Sequence, residues 1–278
     1  MPVGEGSDFN PTWDPQNVFA GTARYYARYR PQYPDVAIVI LTEKFKLDKY
    51  SRVLDVGCGP GHLTLKLAPR VARVIALDPL EEMLDEGRRA ARELHLSNID
   101  WLCGESGMLA ELAARIGCIS LTVMGRSFHW MNREQTLRDL YSMTGTGGGI
   151  AVFTDSGPKD RVWAPWREII WDTVKKWLGE ERRAGTNGTY THPEKHHQRM
   201  LQESRFQNME IAHIDIERNW TLDELVGYLY SASATSVPVL GNKKGPFEAE
   251  LRERLTEYEP SGRFYETGTV QIIMAWKR

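Results

Sequence analysis

No run of apolar residues in this chain approaches the roughly 20 that a helix needs to cross a bilayer. The opening residues 1–10 have neither the basic nor the apolar stretch of a secretory signal, so the chain reads as soluble and cytoplasmic, with no membrane partner. Charge of one sign is also missing: 35 Lys and Arg stand against 37 Asp and Glu, a net charge near −2. Nothing therefore pulls the whole molecule toward nucleic acid or an anionic surface. Cysteine is scarce, and Cys58, Cys103 and Cys118 lie in or beside apolar runs without metal-ligand spacing. They read as reduced, mostly buried thiols, and the sequons at Asn187 and Asn219 then carry no meaning. Internal repeats and low-complexity linkers are lacking as well.

What is present is a globular balance, 41% hydrophobic and 26% charged, over a length that suits one large domain or a domain with a cap. From about residue 35 to 155, short apolar runs alternate with amphipathic stretches of helical length, as a parallel sheet with crossover helices requires. Strands are expected over 52–56, 72–77, 99–103, 119–124 and 149–154. Helices are expected over 36–45, 62–67, 81–94, 108–115 and 133–143, with Asp35 after Pro34 as the N-cap of the first. Four glycines within 144–149 read as a reverse turn into the fifth strand. Two more strands, 209–216 and 270–276, are separated by helical segments over 222–231 and 247–258. The fold expected is α/β, a doubly wound, Rossmann-like, seven-stranded and mostly parallel sheet, with a helical cap from the N-terminus and insertions.

The chemistry concentrates after the first strand. Val53-Leu54-Asp55-Val56-Gly57-Cys58-Gly59-Pro60-Gly61 runs a strand into a glycine loop that opens a helix, where backbone can turn sharply and approach a ligand. A dinucleotide fingerprint would need its third glycine one place later, where His62 stands, so a nicotinamide-binding oxidoreductase is the weaker reading. About twenty residues on, the second strand ends in Asp78, an acid placed to accept from both hydroxyls of a ribose. Together these features point to an adenine nucleoside.

The segment 55–61 with Asp78 resembles motif I and the acidic strand-two end of the class I S-adenosylmethionine-dependent methyltransferases. The opening Tyr25-Tyr26-Ala27-Arg28-Tyr29-Arg30-Pro31-Gln32-Tyr33-Pro34 and the run Gly125-Arg126-Ser127-Phe128-His129-Trp130 are similar to the small-molecule type 11 subgroup that includes trans-aconitate methyltransferases. The resemblance implies S-adenosyl-L-methionine held by Asp55, Gly57, Cys58, Gly59, Gly61, Asp78, Pro79 and Met83. Glu105 or the Ser106 amide would meet the adenine edge, although the family often has Asp where Glu105 stands. Arg126 and an N-terminal helix complete the site: Arg30 would pair with the methionine carboxylate, and the face of Tyr26 would steady the sulfonium. Where strand four of the family usually begins with Asp, this chain has Cys118-Ile119, so no catalytic acid is carried over.

By the same resemblance the chain divides into a cap over the cofactor (1–34), a cofactor-binding core (35–155), a Trp-rich inserted cap (156–207), and a region completing the sheet with an inserted helical segment (208–278). The expected reaction is methyl transfer to an oxygen, nitrogen or carbon of a small molecule by a monomer or homodimer. His129 is the candidate general base, the other reading being that it packs beside Trp130. Phe19, Tyr26, His129, Trp130, Trp166 and Tyr228 are the candidate acceptor side. Trp163, Trp166, Trp171 and Trp177 partly follow a helical face and read first as cap packing, or else as an apolar substrate wall. The subgroup implies a carboxylate acceptor, whereas the tryptophans suit an aromatic one. His192, His196, His197 and Glu194 read as a solvated helix in preference to a metal site, and 180–183 as an exposed charged helix end. The rival functions are a methyltransferase acting on protein or nucleic acid, for which no basic face or appended module is visible, and a non-catalytic adenosyl-ligand-binding protein.

Overall fold

The structure is a computed structural model that describes residues 14–155, 162–191, 193 and 195–278. The described residues open with two short helices, α1 (Pro15–Val18) and α2 (Ala23–Tyr29), and then α3 (Asp35–Lys44) leads into β1 (Arg52–Val56). There follow α4 (Thr64–Leu67), β2 (Arg73–Asp78), α5 (Glu81–Glu93), β3 (Ile99–Cys103), α6 (Leu109–Ile116), β4 (Ile119–Gly125), α7 (Arg133–Met143) and β5 (Thr144–Asp155). After β5 come α8 (Trp166–Leu178), a small hairpin of β6 (Arg183–Ala184) and β7 (Gly188–Thr189), and α9 (His197–Gln202). The last part is β8 (Gln207–Thr221), α10 (Leu222–Tyr230), α11 (Val237–Leu240), α12 (Lys244–Tyr258) and β9 (Arg263–Trp276).

Seven strands form one sheet in the order β3-β2-β1-β4-β5-β9-β8, with the first five parallel and β9 antiparallel to both its neighbours. Because side chains alternate across a strand, Leu54 and Val56 join Leu137 and Leu140 on one face, while Val53 joins Ile38, Leu41 and Leu67 on the other. Helices thus cover both faces, as a parallel sheet needs. The strand order changes direction beside β1, between β1 and β4, and a crevice opens there at the carboxyl ends of the strands.

Helices α8, α10 and α12 pack together around Trp166, Trp220, Phe247, Leu251 and Phe264 into a separate apolar cluster, the cap. Its buried acid among the described residues, Glu266, accepts from Trp220 Nε1 at 2.9 Å and from Arg167 Nε at 2.6 Å. That satisfies the charge away from water.

Four expectations are corrected. Pro34 occupies the N-cap of α3 without a side-chain bond, and Asp35, now the first helical residue, instead pairs with Lys66. The 144–149 glycine run lies inside β5, where pairing to β4 jumps from Ile119–Thr144 to Leu121–Gly149. Backbone bonds from Gly147 N to Lys277 O and from Lys277 N to Gly148 O, both 2.8 Å, hold the extra residues. Of the thiols only Cys58 is buried: Cys103 ends the edge strand β3 and Cys118 sits in the turn before β4, so both reach solvent. Finally, β8 and β9 run much further than expected, pairing out to Thr221–Arg263 at the cap.

Candidate functional site

The backbone between β1 and α4 turns where side chains would not fit. A Cβ on Gly57, whose φ is +67°, would lie 2.5 Å from Ser127 Cβ, so the loop after β1 presses directly on the loop after β4. Gly57 N and Cys58 N both donate to Leu77 O, at 2.8 and 3.1 Å. Gly59 N donates to Asp78 Oδ2 at 2.8 Å, and Leu80 N to Asp78 Oδ1 at 3.0 Å. Two amides hold this carboxylate, yet each oxygen keeps a further acceptor position. Burial pushes the Asp78 carboxyl up to about 6, with the Leu80 and Gly59 amides opposing the shift.

These groups border a cavity of about 280 Å³. Its walls are Gly57 and Gly59, then Asp78, Pro79 and Met83, then Glu105 and Ser106, then Arg126 and Ser127; Val18, Phe19 and Tyr26 close it from the N-terminal side. Asp55, Cys58 and Gly61, expected around the cofactor, do not border it. Asp55 is buried beneath the loop and accepts from Thr64 Oγ1 at 2.7 Å. Burial, partly offset by Thr64, pushes its carboxyl up to about 7. Cys58 packs inward with Ala76 and Leu84. A Cβ on Gly61 would meet Trp101 at 2.7 Å, so this glycine serves packing. His62, in the place of the fingerprint glycine, is buried against Tyr26 with ring centroids 5.7 Å apart, and burial holds its imidazole near 4.

A second chamber of about 720 Å³ adjoins the first, and the two share Phe19, Tyr26, Arg126 and Trp130. Phe19 meets Trp130 edge-on at 5.4 Å and Tyr26 at 6.2 Å. Arg126, with φ of +56°, gives Nε to Asp155 Oδ2 at 2.8 Å and a terminal nitrogen to Asp155 Oδ1 at 3.1 Å. It also donates to Pro31 O at 3.0 Å and lies over the Tyr33 ring. It thereby ties the N-terminal segment to the ends of β4 and β5.

Arg30 borders this chamber and not the smaller cavity. Its guanidinium stands 5.0 Å from the Tyr26 ring and 4.9 Å from the Tyr228 ring and donates to Ser231 O at 3.2 Å. Its buried Nε has no protein partner. His129, Trp130 and Tyr228 border the chamber. Trp166 does not: it is buried in the cap and donates Nε1 to Tyr265 O at 3.0 Å. Trp163 and Trp171 are exposed, and Trp177 bonds Glu250 at 3.0 Å, so none of the four clustered tryptophans reaches the chamber.

Tyr190 and Lys195, unassigned by the sequence, border the chamber, and so do Arg182, expected at an exposed charged helix end, and His197, expected on a solvated helix. The basic residues and histidines of 182–197 were the available signal. Residues 180–183 follow the end of α8 at Leu178 and enter the β6–β7 hairpin, so they are not a helix end. Arg133 approaches His197 Nδ1 at 3.3 Å. Arginine only donates, which leaves the His197 ring proton on Nε2; burial and then Arg133 hold that imidazole near 4. Among the described residues no group of three or more His, Cys, Asp or Glu is placed to hold a metal; His192 and Glu194 lie outside them.

A methyltransferase-domain family model matches residues 53–148. An uncharacterized methyltransferase of Schizosaccharomyces pombe is 28% identical over 155 residues, covering 55% of this chain and 57% of that protein. A tRNA (uracil-5-)-methyltransferase homolog of Mus musculus is 38% identical over 72 residues, which are 26% of this chain and 12% of its own. The chain thus spans little more than half the length of the first curated relatives it matches. A candidate type II methyltransferase from Anaeromyxobacter dehalogenans superposes with a TM-score of 0.61 at 18% identity over 90% of this chain and 98% of its own, which is a likeness of fold. The family model thus places a methyltransferase domain over residues 53–148, the part of the sheet that carries the glycine loop and Asp78.

Proposed function

We propose that this chain transfers the methyl group of S-adenosylmethionine to a small molecule held in the larger chamber. The carrying observation is the junction: the cavity floored by the glycine loop and Asp78 and the larger chamber share Phe19, Tyr26, Arg126 and Trp130. Bound S-adenosylmethionine supplies an electrophilic methyl carbon, to which an acceptor lone pair bonds as the carbon–sulfur bond breaks and the sulfur leaves as a neutral thioether.

The residues fit such a ligand. Asp78 keeps acceptor positions for the ribose hydroxyls, with Glu105 and Ser106 beside the base. The unpartnered Nε of Arg30, across the Tyr26 ring from the cavity, suits a carboxylate arriving at the junction. Tyr26 offers its face to the sulfonium, and Phe19 with Trp130 keeps water from the path of transfer. His129, in contact with Trp130 at 4.9 Å, takes the proton from a hydroxyl or amine acceptor. The described residues 14–34 and 162–191, with α10 and α12, act as the cap, and 35–155 as the cofactor-binding core.

A nucleic-acid or protein acceptor and a non-catalytic role have less support, because the junction opens into a recess and the net charge is near −2. The test is incubation with methyl-labelled S-adenosylmethionine and a cell extract, followed by size fractionation. Label in the small-molecule fraction is expected; label confined to RNA or protein would refute this acceptor class.

A further inference from the structure

The charge of the larger chamber is lopsided. Among the described residues its border carries Arg30, Arg126, Arg182 and Lys195 against one carboxylate, Asp155. Arg126 takes both oxygens of Asp155, and Lys195 lies 3.3 Å from Glu203. Arg30 is committed by the reading above to the cofactor's own carboxylate.

That leaves Arg182. Its guanidinium lies 4.2 Å from the centroid of the Tyr190 ring, and no described carboxylate is within ion-pair reach. Tyr190 in turn meets Trp130 edge-on at 5.5 Å and His129 at 6.0 Å. The order from the junction outward is therefore Trp130, Tyr190, Arg182, which sets a cation without a carboxylate partner among the described residues one aromatic ring beyond the place of transfer. Trp130 and Tyr190 offer rings to a flat body, and a guanidinium offers a paired donor to an anionic oxygen pair.

We infer that the acceptor is an aromatic acid whose anionic group is gripped by Arg182 and is not the atom that receives the methyl. The inference rests on the small-molecule reading above. An acid methylated on its carboxylate would have to bring that group to the junction, where Arg126 is already occupied by Asp155, and would lose the charge that Arg182 binds. An acid methylated elsewhere keeps its charge throughout.

Two isomers separate these cases: methoxynaphthoate, the methyl ether of hydroxynaphthoate, and methyl hydroxynaphthoate, its methyl ester. Each is titrated calorimetrically into the protein loaded with S-adenosylhomocysteine. The ether, which retains its carboxylate, is expected to bind about tenfold more tightly than the ester. In Arg182→Gln, a change at an exposed position, that preference is expected to fall to about threefold or less, with S-adenosylhomocysteine affinity and melting temperature unchanged. Equal binding of the isomers, binding of neither, or a preference that survives in Arg182→Gln overturns the inference. Failure of S-adenosylhomocysteine to bind in the loading step overturns the cofactor reading instead, and is seen before either isomer is added.

Discussion

Gly59 donates its backbone amide to Asp78 Oδ2 across 2.8 Å, so the acid that ends the second strand is fixed to the glycine loop that follows the first. Burial has already raised the Asp78 carboxyl to about 6. Ribose hydroxyls donate to the ionised form, so binding lowers this pKa, and affinity is full above about pH 6 and lost as pH falls through it. The expected slope is at most about tenfold in Kd per pH unit. Calorimetry with S-adenosylhomocysteine from pH 8 to pH 5 measures it, and Asp78→Asn should both weaken binding and flatten the profile. Asp55→Asn should leave the acid-side slope in place, because Asp55 faces Thr64 and not the cavity.

Gly57→Ala tests the close approach of the two loops. The added Cβ meets Ser127 Cβ at 2.5 Å from a backbone at φ +67°. A loss of about 1–3 kcal/mol is expected from the backbone conformation alone. Denaturant unfolding should show it, together with weakened S-adenosylhomocysteine binding. A variant that unfolds like the parent and binds equally well would mean that Ser127 and its loop shift freely.

His129→Gln separates a base from a packing residue. With a hydroxyl or amine acceptor, kcat should fall by about 100-fold or more while S-adenosylhomocysteine affinity holds. A fall of less than about tenfold in single-turnover transfer marks His129 as a neighbour of Trp130 and nothing more. His197→Gln should act on acceptor KM, because the Arg133 contact leaves its Nε2 a donor.

Trp166 and Trp130 should respond in opposite ways. Trp166→Ala empties a buried site in the cap and should cost about 3–5 kcal/mol of stability. Trp130→Ala, at the junction, should cost less stability and more transfer rate. Chemical denaturation beside labelled-methyl transfer reads both effects.

The doubly wound core was legible because its signals are local. Val53 to Val56 is apolar enough to be central, the glycines follow at once, and Asp78 closes the next strand, so β1, β2 and their loop could be read from short stretches. The outer half of β8 was not. It lies at the sheet edge with Glu217, Arg218 and Asn219 along it, and polar edge residues hide the period-two signal. The chamber was legible only in part. Phe19, Tyr26, His129, Trp130 and Tyr228 converge there, but Arg182 and Tyr190 arrive through the β6–β7 hairpin, whose register no local pattern sets. Trp166 misled because a large ring suits a substrate wall and a cap core equally until its neighbours are known.

The most direct measurement is calorimetric titration of the protein with S-adenosylmethionine, S-adenosylhomocysteine and NADH, with Asp78→Ala as control. Micromolar-range binding of both adenosyl ligands, lost in Asp78→Ala and absent for NADH, is expected. Binding of NADH, or adenosyl binding indifferent to Asp78, would contradict the assignment of the glycine-loop cavity to the methyl donor.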